Sequence, residues 1–157
     1  MVSVIFTIMI LVVSAASDLL YRKVYNIVTF PSMLVGLLLS GFPFSANSYY
    51  RLLWMVIFFF LGQTRLMGMG DLKLCMAVIA LRGIEEASLM LLAGAIFMLL
   101  YCFWTDRPNT ILMLKDTYST IFYSTPVIKR LDKQYPFAVF LACGYIAAIL
   151  IRWWVYV

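Results

Sequence analysis

The chain has 157 residues, of which 65% are hydrophobic and only 12% are charged, with a mean hydropathy of +0.99. A soluble domain is about half apolar and about a quarter charged, so these values exclude an ordinary water-soluble globule and a disordered chain. The net charge of +5 comes from scattered Lys and Arg residues and not from a basic cluster with interleaved aromatic side chains, so we expect no nucleic-acid partner. We predict an all-α integral membrane protein that lies in the lipid bilayer.

Six apolar segments follow one another along the chain. Because about 20 apolar residues cross a membrane, 157 residues suffice for six transmembrane helices in a single membrane domain over 1–157. The first segment lacks the basic start of a signal peptide, so we predict a helix there as well. The predicted helices cover about 2–20, 27–41, 50–62, 70–82, 87–104 and 136–156.

The remaining segment, about 105–135, is the one sizeable polar stretch. It contains short apolar runs separated by charged residues, so it forms either an amphipathic helix on the membrane surface or a loosely ordered connector.

The distribution of Lys and Arg between these segments predicts their orientation. With the N-terminus outside, the inside segments carry Arg22, Lys23, Arg65, Lys73, Arg107, Lys115, Lys129, Arg130 and Lys133. The outside segments then carry only Arg51, Arg82 and Arg152. Because cytoplasmic loops are enriched in basic residues, we predict a multi-pass protein of the inner (cytoplasmic) membrane. The 62–71 turn and the 105–135 loop would then face the cytoplasm.

The inventory of reactive side chains is short. The chain has no histidine, which excludes Ser–His–Asp and Cys–His catalysis and His-ligated metal sites. Its three cysteines, Cys75, Cys102 and Cys143, lie inside apolar segments with no Cys-x-x-Cys pair, so we interpret them as small buried residues. We expect neither a metal nor a cofactor.

The seven acidic residues fall into two groups. Five lie in predicted loops close to Lys or Arg: Glu85, Glu86, Asp106, Asp116 and Asp132. We interpret the two glutamates, beside Arg82, as part of a solvated outside turn. The other two, Asp18 and Asp71, lie at the ends of two predicted helices at the same membrane face. An ionisable group at such a boundary is costly, so both are candidate functional residues.

Two neighbouring aspartates can act together as a general acid and a general base. Two carboxyl groups held close together do not both ionise easily, so one retains a proton. The ionised group can then take a proton from water while the protonated group hydrogen-bonds the carbonyl under attack, which is the chemistry of peptide hydrolysis. The alternative is that Asp18 and Asp71 cap helices and face water.

The residues around each aspartate are also patterned. Gly68 and Gly70 precede Asp71, and this open backbone suits a site that admits an extended peptide, although a plain capped turn has the same sequence. Asp18, Arg22 and Asn26 are spaced by four residues, so Arg22 and Asn26 either orient Asp18 or the substrate, or simply close the helix with an ion pair.

Together these segments resemble the type IV prepilin peptidases, which are Gly-x-Gly-Asp membrane aspartyl proteases. The first family motif is an Asp, an Arg or Lys four residues later, and Ile-Pro-Asn, and it resembles residues 18–26 of this chain. The second, Gly-x-Gly-Asp-x-Lys, matches residues 68–73, and a Pro-Phe/Tyr-Gly segment resembles residues 136–138. Tyr25 and Ala138 stand where the family usually has Pro and Gly.

The resemblance implies an aspartyl endopeptidase with Asp18 and Asp71 as the catalytic pair. It implies substrate-binding or positioning roles for Arg22, Asn26, Gly68, Gly70, Lys73 and Pro136. Its substrate would be a type IV prepilin, pseudopilin or related precursor, whose basic leader is removed after a Gly at the cytoplasmic membrane face. No cysteine zinc motif follows the first helix, so the resemblance is to the short members without N-methyltransferase activity.

Two other functions remain open from the sequence. The protein is alternatively a small ion-coupled transporter, with the aspartates as cation or proton sites, or a non-enzymatic subunit of a secretion or pilus assembly machine. The sequence leaves the oligomeric state, the precursor and the division of acid and base roles undetermined.

Overall fold

The computed structural model describes residues 2–63 except 42 and 44, residues 68–105, residues 136–156, and positions 107, 108, 110, 111, 115 and 118. The predicted 62–71 turn lies partly, and the 105–135 loop largely, outside these residues. Six helices are described: α1 (Val2–Tyr21), α2 (Asn26–Leu39), α3 (Ala46–Gln63), α4 (Met69–Arg82), α5 (Ile84–Thr105) and α6 (Phe137–Tyr156). No strand occurs among the described residues, and the all-α prediction is confirmed.

Two helices, α3 and α5, begin three or four residues earlier than the sequence predicts. The helix α3 begins at Ala46, four residues before the predicted start, because the Ser45 hydroxyl accepts a hydrogen bond from the Asn47 backbone N–H at 3.3 Å. The helix α5 begins at Ile84 instead of 87, so Glu85 and Glu86 form its first turn, where the helix dipole favours acidic side chains.

Three helices are long and apolar enough to cross a membrane. The spans are Ser3–Tyr21, Ile84–Thr105 and Phe137–Trp154, in α1, α5 and α6. Their outer faces expose large apolar side chains such as Leu20, which is 74% exposed, as expected for lipid contact. The other three predicted crossings stay predictions.

The helix α4 is the centre of the molecule. It packs against all five other helices, and its residues Leu72 and 74–81 are buried. A helix that is apolar around most of its circumference is expected to be buried, and α4, with 14 residues, is enclosed by the other helices. Its first turn and last turn therefore reach the two ends of a helical bundle.

Glycines allow two pairs of helices to approach closely. A Cβ added to Gly36 in α2 would lie 2.6 Å from the backbone carbonyl carbon of Ala80 in α4. A Cβ added to Gly144 in α6 would lie 2.5 Å from the backbone nitrogen of Gly94 in α5. Small residues at these crossings are typical of helix packing in membranes.

Successive contacts show that the helices alternate in direction. The start of α1 meets the end of α4, where the Arg82 guanidinium donates a hydrogen bond to the Ser3 hydroxyl at 3.0 Å. The end of α1 meets the start of α6, where Ala138 contacts Asp18. We call the end that contains Asp18 and Asp71 the aspartate end, and the end that contains Arg51, Arg82 and Arg152 the arginine end. Of the three cysteines, Cys75 and Cys102 are buried as predicted, but Cys143 is exposed on α6.

Candidate active site

Asp18 lies near the C-terminal end of α1 and contacts the beginning of α6. Its Oδ2 accepts a hydrogen bond from the backbone N–H of Ala138 at 3.2 Å. Ala138 is the second residue of α6, so this N–H has no partner within its own helix. The carboxylate of Asp18 thus caps a helix 120 residues further along the chain, and this contact holds it at the aspartate end.

Asp71 lies in the first turn of α4, outside the three helices that are long and apolar enough to cross a membrane. Burial in the protein, and next the negative charge of Asp18, raise the pKa of Asp71 from 3.8 to about 6. The charge of Asp18 acts on Asp71 although the two residues belong to different helices. The two predicted aspartates therefore lie near enough for the charge of Asp18 to add to the effect of burial, and the raised pKa favours a proton on Asp71 at a pH where an ordinary aspartic acid is ionised.

Position 68 requires glycine because a side chain would not fit there, and not because the backbone has an unusual conformation. It is the N-cap of α4 with φ −63° and ψ 137°, a conformation that any residue adopts. A Cβ at this position would lie 2.8 Å from Oδ2 of Asp71, closer than real Cβ contacts. The glycine therefore leaves room for the Asp71 carboxylate beside the N-terminus of α4.

Gly70 faces the segment between α1 and α2. A Cβ at Gly70 would lie 3.3 Å from Cγ2 of Val24, a tight contact with a side chain. Each glycine of the second motif thus has a close neighbour. Gly68 lies beside Asp71 of the same motif, and Gly70 lies beside Val24 of the first motif. The backbone freedom that the sequence suggested for them is not used at Gly68.

A hydrogen bond joins the two motifs. The Nζ of Lys73 in α4 donates to Oδ1 of Asn26, the first residue of α2, at 2.7 Å. The same ammonium group lies 5.9 Å from the ring centre of Phe30, one turn further along α2. The sequence named both polar residues but did not predict that they contact each other.

Arg22 does not continue α1. The helix ends at Tyr21, and Arg22 adopts a left-handed backbone with φ 51° while its N–H donates to the carbonyl of Asp18 at 2.9 Å. The shared helix face that the four-residue spacing suggested therefore does not form. Among the described residues, no ion pair joins the exposed Arg22 guanidinium to Asp18. Tyr25, where the family usually has Pro, has φ −76° and precedes α2, so Asn26 is still held at the helix start.

Pro136 immediately precedes α6, and this position explains the third motif. Proline cannot continue a helix from its preceding residues, so it favours a helix beginning at Phe137. That start presents the N–H of Ala138 to Asp18. Sequence analysis missed this backbone donor, although a proline before an apolar run is the signal from which it can be found.

At the arginine end, the interpretation of Glu86 as a solvated residue was wrong. Glu86 is only 7% exposed and forms ion pairs with Arg82 and Arg152, while Glu85 is exposed. The four-residue spacing of Arg82 and Glu86 indicates their pairing. Nothing in the local sequence indicates Arg152, which comes from a different helix.

Among the described residues, no group of three His, Cys, Asp or Glu side chains is placed to hold a metal ion. The aspartate end thus offers two interacting carboxyl groups, one of which retains a proton near pH 6, beside the exposed Gly68 and Met69. Such a pair can activate a water molecule and protonate a carbonyl oxygen.

A comparison with protein families agrees with this arrangement. The model of the type IV leader peptidase family matches residues 5–152, which include both aspartates and all six described helices in whole or in large part. The chain therefore belongs to the type IV leader peptidase family. No curated protein and no solved structure matches the chain.

Proposed function

We propose that this protein is a membrane-embedded aspartyl endopeptidase that removes the basic leader peptide from type IV prepilin-like precursors at the cytoplasmic membrane face. Membership of the type IV leader peptidase family supports the peptidase function and the class of precursor. The observation that carries the aspartyl mechanism is that Asp18 and Asp71, one from each motif, lie at the same end of the helical bundle, where the charge of Asp18 helps to raise the pKa of Asp71.

In this mechanism the two carboxyl groups share one proton. The ionised carboxylate takes a proton from a water molecule, whose oxygen attacks the carbonyl carbon of the scissile peptide bond. The protonated carboxyl group donates its proton to the carbonyl oxygen. The carbon–nitrogen bond then breaks, and the leaving amine takes a proton from the carboxyl group that accepted it from water. At the same time a hydroxyl group of the intermediate returns its proton to the other carboxylate, so the pair again holds one proton. Because the pair titrates as a unit, the acid and base roles belong to the pair.

The surrounding residues would position these groups and the substrate. The hydrogen bond between Lys73 and Asn26 ties the start of α4 to the start of α2, and the N–H of Ala138 holds Asp18. The exposed backbone at Gly68 lies beside Asp71 without a side chain of its own. We propose that an extended precursor segment approaches the pair along this open backbone, as Gly permits close approach.

The test is cleavage of a membrane-inserted precursor by Asp18→Asn and Asp71→Asn variants. Each replacement removes a group that transfers protons, so we expect the cleavage rate to fall by about 100- to 10,000-fold. The matched control is Asp132→Asn, which makes the same chemical change outside both motifs and should cleave normally. Normal cleavage by either motif variant would show that the paired-aspartate mechanism is wrong.

The same variants should remain folded and inserted. Asparagine at position 18 keeps a side-chain oxygen that can accept the hydrogen bond from Ala138. Membrane extraction and thermal unfolding of the purified variants therefore separate a loss of chemistry from a loss of structure. A variant that is inactive because it is not inserted would not count as support.

A further inference from the structure

The arginine end contains a buried glutamate that binds more than one cation. Both carboxylate oxygens of Glu86 accept hydrogen bonds from Arg82, one of them at 2.6 Å from Nε. The same carboxylate accepts from Arg152 at 2.5 Å and from the Tyr145 hydroxyl at 3.4 Å. Among the described residues, the carboxylate of Glu86 is thus shared by two guanidinium groups, of which that of Arg152 is half exposed.

A third arginine belongs to this cluster. Arg51, from α3, donates to the carbonyl of Ala80 at 2.9 Å and interacts electrostatically with Arg82 and Glu86. Its Nε is buried and has no hydrogen-bond partner among the described residues. The rest of the Arg51 guanidinium lines the polar end of the bundle beside Arg82. In the part of the chain that the structure describes, three arginines and two glutamates line the cavities at this end.

Two cavities meet at this cluster. A cavity of about 420 Å³ has mainly polar walls and is lined by Ser3, Asn47, Arg51 and Glu85 among others. A second cavity of about 280 Å³ has mainly apolar walls, which include Val4, Leu89, Ala148 and Trp153. Arg82, Glu86 and Arg152 line both. Leu89 and Trp153 are 45% and 68% exposed, so the apolar cavity opens on the outer surface of the bundle.

We propose that the two cavities form one binding site for an acidic phospholipid, with the phosphate among the three arginines and an acyl chain against Leu89 and Trp153. A phosphate group in the polar cavity would lie beside the guanidinium groups of Arg51, Arg82 and Arg152, which can form charge-assisted hydrogen bonds with its oxygens. Basic pockets between membrane helices are suited to lipid headgroups. The adjoining apolar cavity favours a lipid over a free phosphate ion, which would leave it unfilled. This site lies at the opposite end from the aspartates and is independent of the peptidase assignment.

The test is lipid retention by the purified full chain, measured by native mass spectrometry. The protein is mixed with equal amounts of phosphatidylglycerol and phosphatidylcholine that carry the same acyl chains. We expect preferential retention of phosphatidylglycerol, and about fivefold weaker retention by Arg51→Gln, since one cation near an anionic lipid headgroup is removed. Lys23→Gln removes the same charge at the aspartate end and should leave retention unchanged.

Two further variants keep the proposal falsifiable if Arg51→Gln does not fold. Arg152→Gln removes a more exposed cation from the same site and should also weaken phosphatidylglycerol binding. Leu89→Trp narrows the apolar cavity without changing any charge, and it too should reduce retention. Equal retention of the two lipids, or equal behaviour of Arg51→Gln and Lys23→Gln, would overturn the proposal. So would stabilisation by inorganic phosphate that equals stabilisation by phosphatidylglycerol, because the ligand would then be the free ion.

Discussion

At the scale of single residues, the missing side chain at Gly68 determines where the carboxylate of Asp71 can lie. Replacement with alanine places a Cβ where Oδ2 of Asp71 now lies, at 2.8 Å, so the carboxylate has to move. A displacement of about 1 Å at a catalytic group costs on the order of 100-fold in rate. We therefore predict that Gly68→Ala lowers the cleavage rate of a precursor by about that factor, measured in membranes with equal amounts of inserted protein.

Gly70→Ala is the matched control for this prediction. Its added Cβ would meet Cγ2 of Val24 at 3.3 Å, and this side chain can yield by a few tenths of an ångström. We expect a much smaller loss of activity than for Gly68→Ala. Equal losses in the two variants would contradict a steric effect on Asp71 and indicate that any side chain in this motif obstructs the substrate.

The pKa of Asp71 predicts the pH dependence of cleavage. Burial, and then the charge of Asp18, raise this pKa to about 6, so Asp71 keeps its proton below about pH 6 and loses it as the pH rises further. The mechanism needs one proton on the pair. The cleavage rate should therefore fall above about pH 6, by about tenfold per pH unit in the limit.

This profile is measured in detergent solution, where both ends of the protein meet the same pH, with a precursor that has no titrating group near its cleavage site. The variant Lys23→Gln should show the same profile, since it changes charge outside the pair. A rate that rises steadily from pH 6 to pH 8 would contradict a proton held by Asp71.

The two aspartates were accessible to sequence analysis for a physical reason. In a chain with seven acidic residues and no histidine, each polar group can be considered by itself, and motif spacing predicts Asp18 and Asp71 as the candidate pair. Glu86 shows the limit of this approach. Its carboxylate is paired with Arg152, which lies 66 residues away and reaches it only in the folded bundle. Whether a charged side chain is solvated depends on its neighbours in the folded protein, and the local spacing of residues in the sequence does not reveal these neighbours.

At the scale of helices, the apolar runs predicted the existence of all six elements, because each run has to be buried in protein or lipid. Helix starts were less predictable. The polar residues Asn47 and Ser48 of α3 and the glutamates of α5 look like loop residues in a hydropathy pattern, yet they belong to the first turns of these helices. Caps and first turns use the residue types that also form loops, so composition alone does not separate them.

Close packing between α5 and α6 gives a prediction at this scale. A Cβ on Gly144 would lie 2.5 Å from the backbone nitrogen of Gly94 and 2.6 Å from the carbonyl oxygen of Met90, and neither atom moves without the helix. Gly144→Ala should therefore separate the helices and destabilise the fold by about 2 kcal/mol. The measurement is a lower Tm in detergent. Cys143→Leu adds bulk on the neighbouring exposed face and should leave the Tm nearly unchanged; a similar loss in both variants would contradict the packing argument.

At the scale of the whole molecule, the alternating helices place two chemically different sites at opposite ends. The aspartate end holds the paired carboxyl groups, and the arginine end holds the cationic cluster. The positive-inside prediction sets the aspartate end in the cytoplasm. The short helix α2 is critical for this topology. Its 14 residues span about 21 Å, less than the roughly 30 Å of a bilayer core, so its crossing requires local thinning or neighbouring helices.

Cysteine labelling at the two ends of α2 tests this topology directly. Lys23 and Pro43 are exposed and flank the helix, so Lys23→Cys and Pro43→Cys can be made in a Cys143→Ser background, in which the remaining cysteines are buried. If α2 crosses the membrane in the predicted orientation, a membrane-impermeant maleimide added to intact spheroplasts should label Pro43→Cys only. Lys23→Cys should be labelled only after permeabilisation. Labelling of both variants from outside would mean that α2 does not cross the membrane, and labelling of Lys23→Cys alone would place the aspartate pair outside, away from any precursor leader in the cytoplasm.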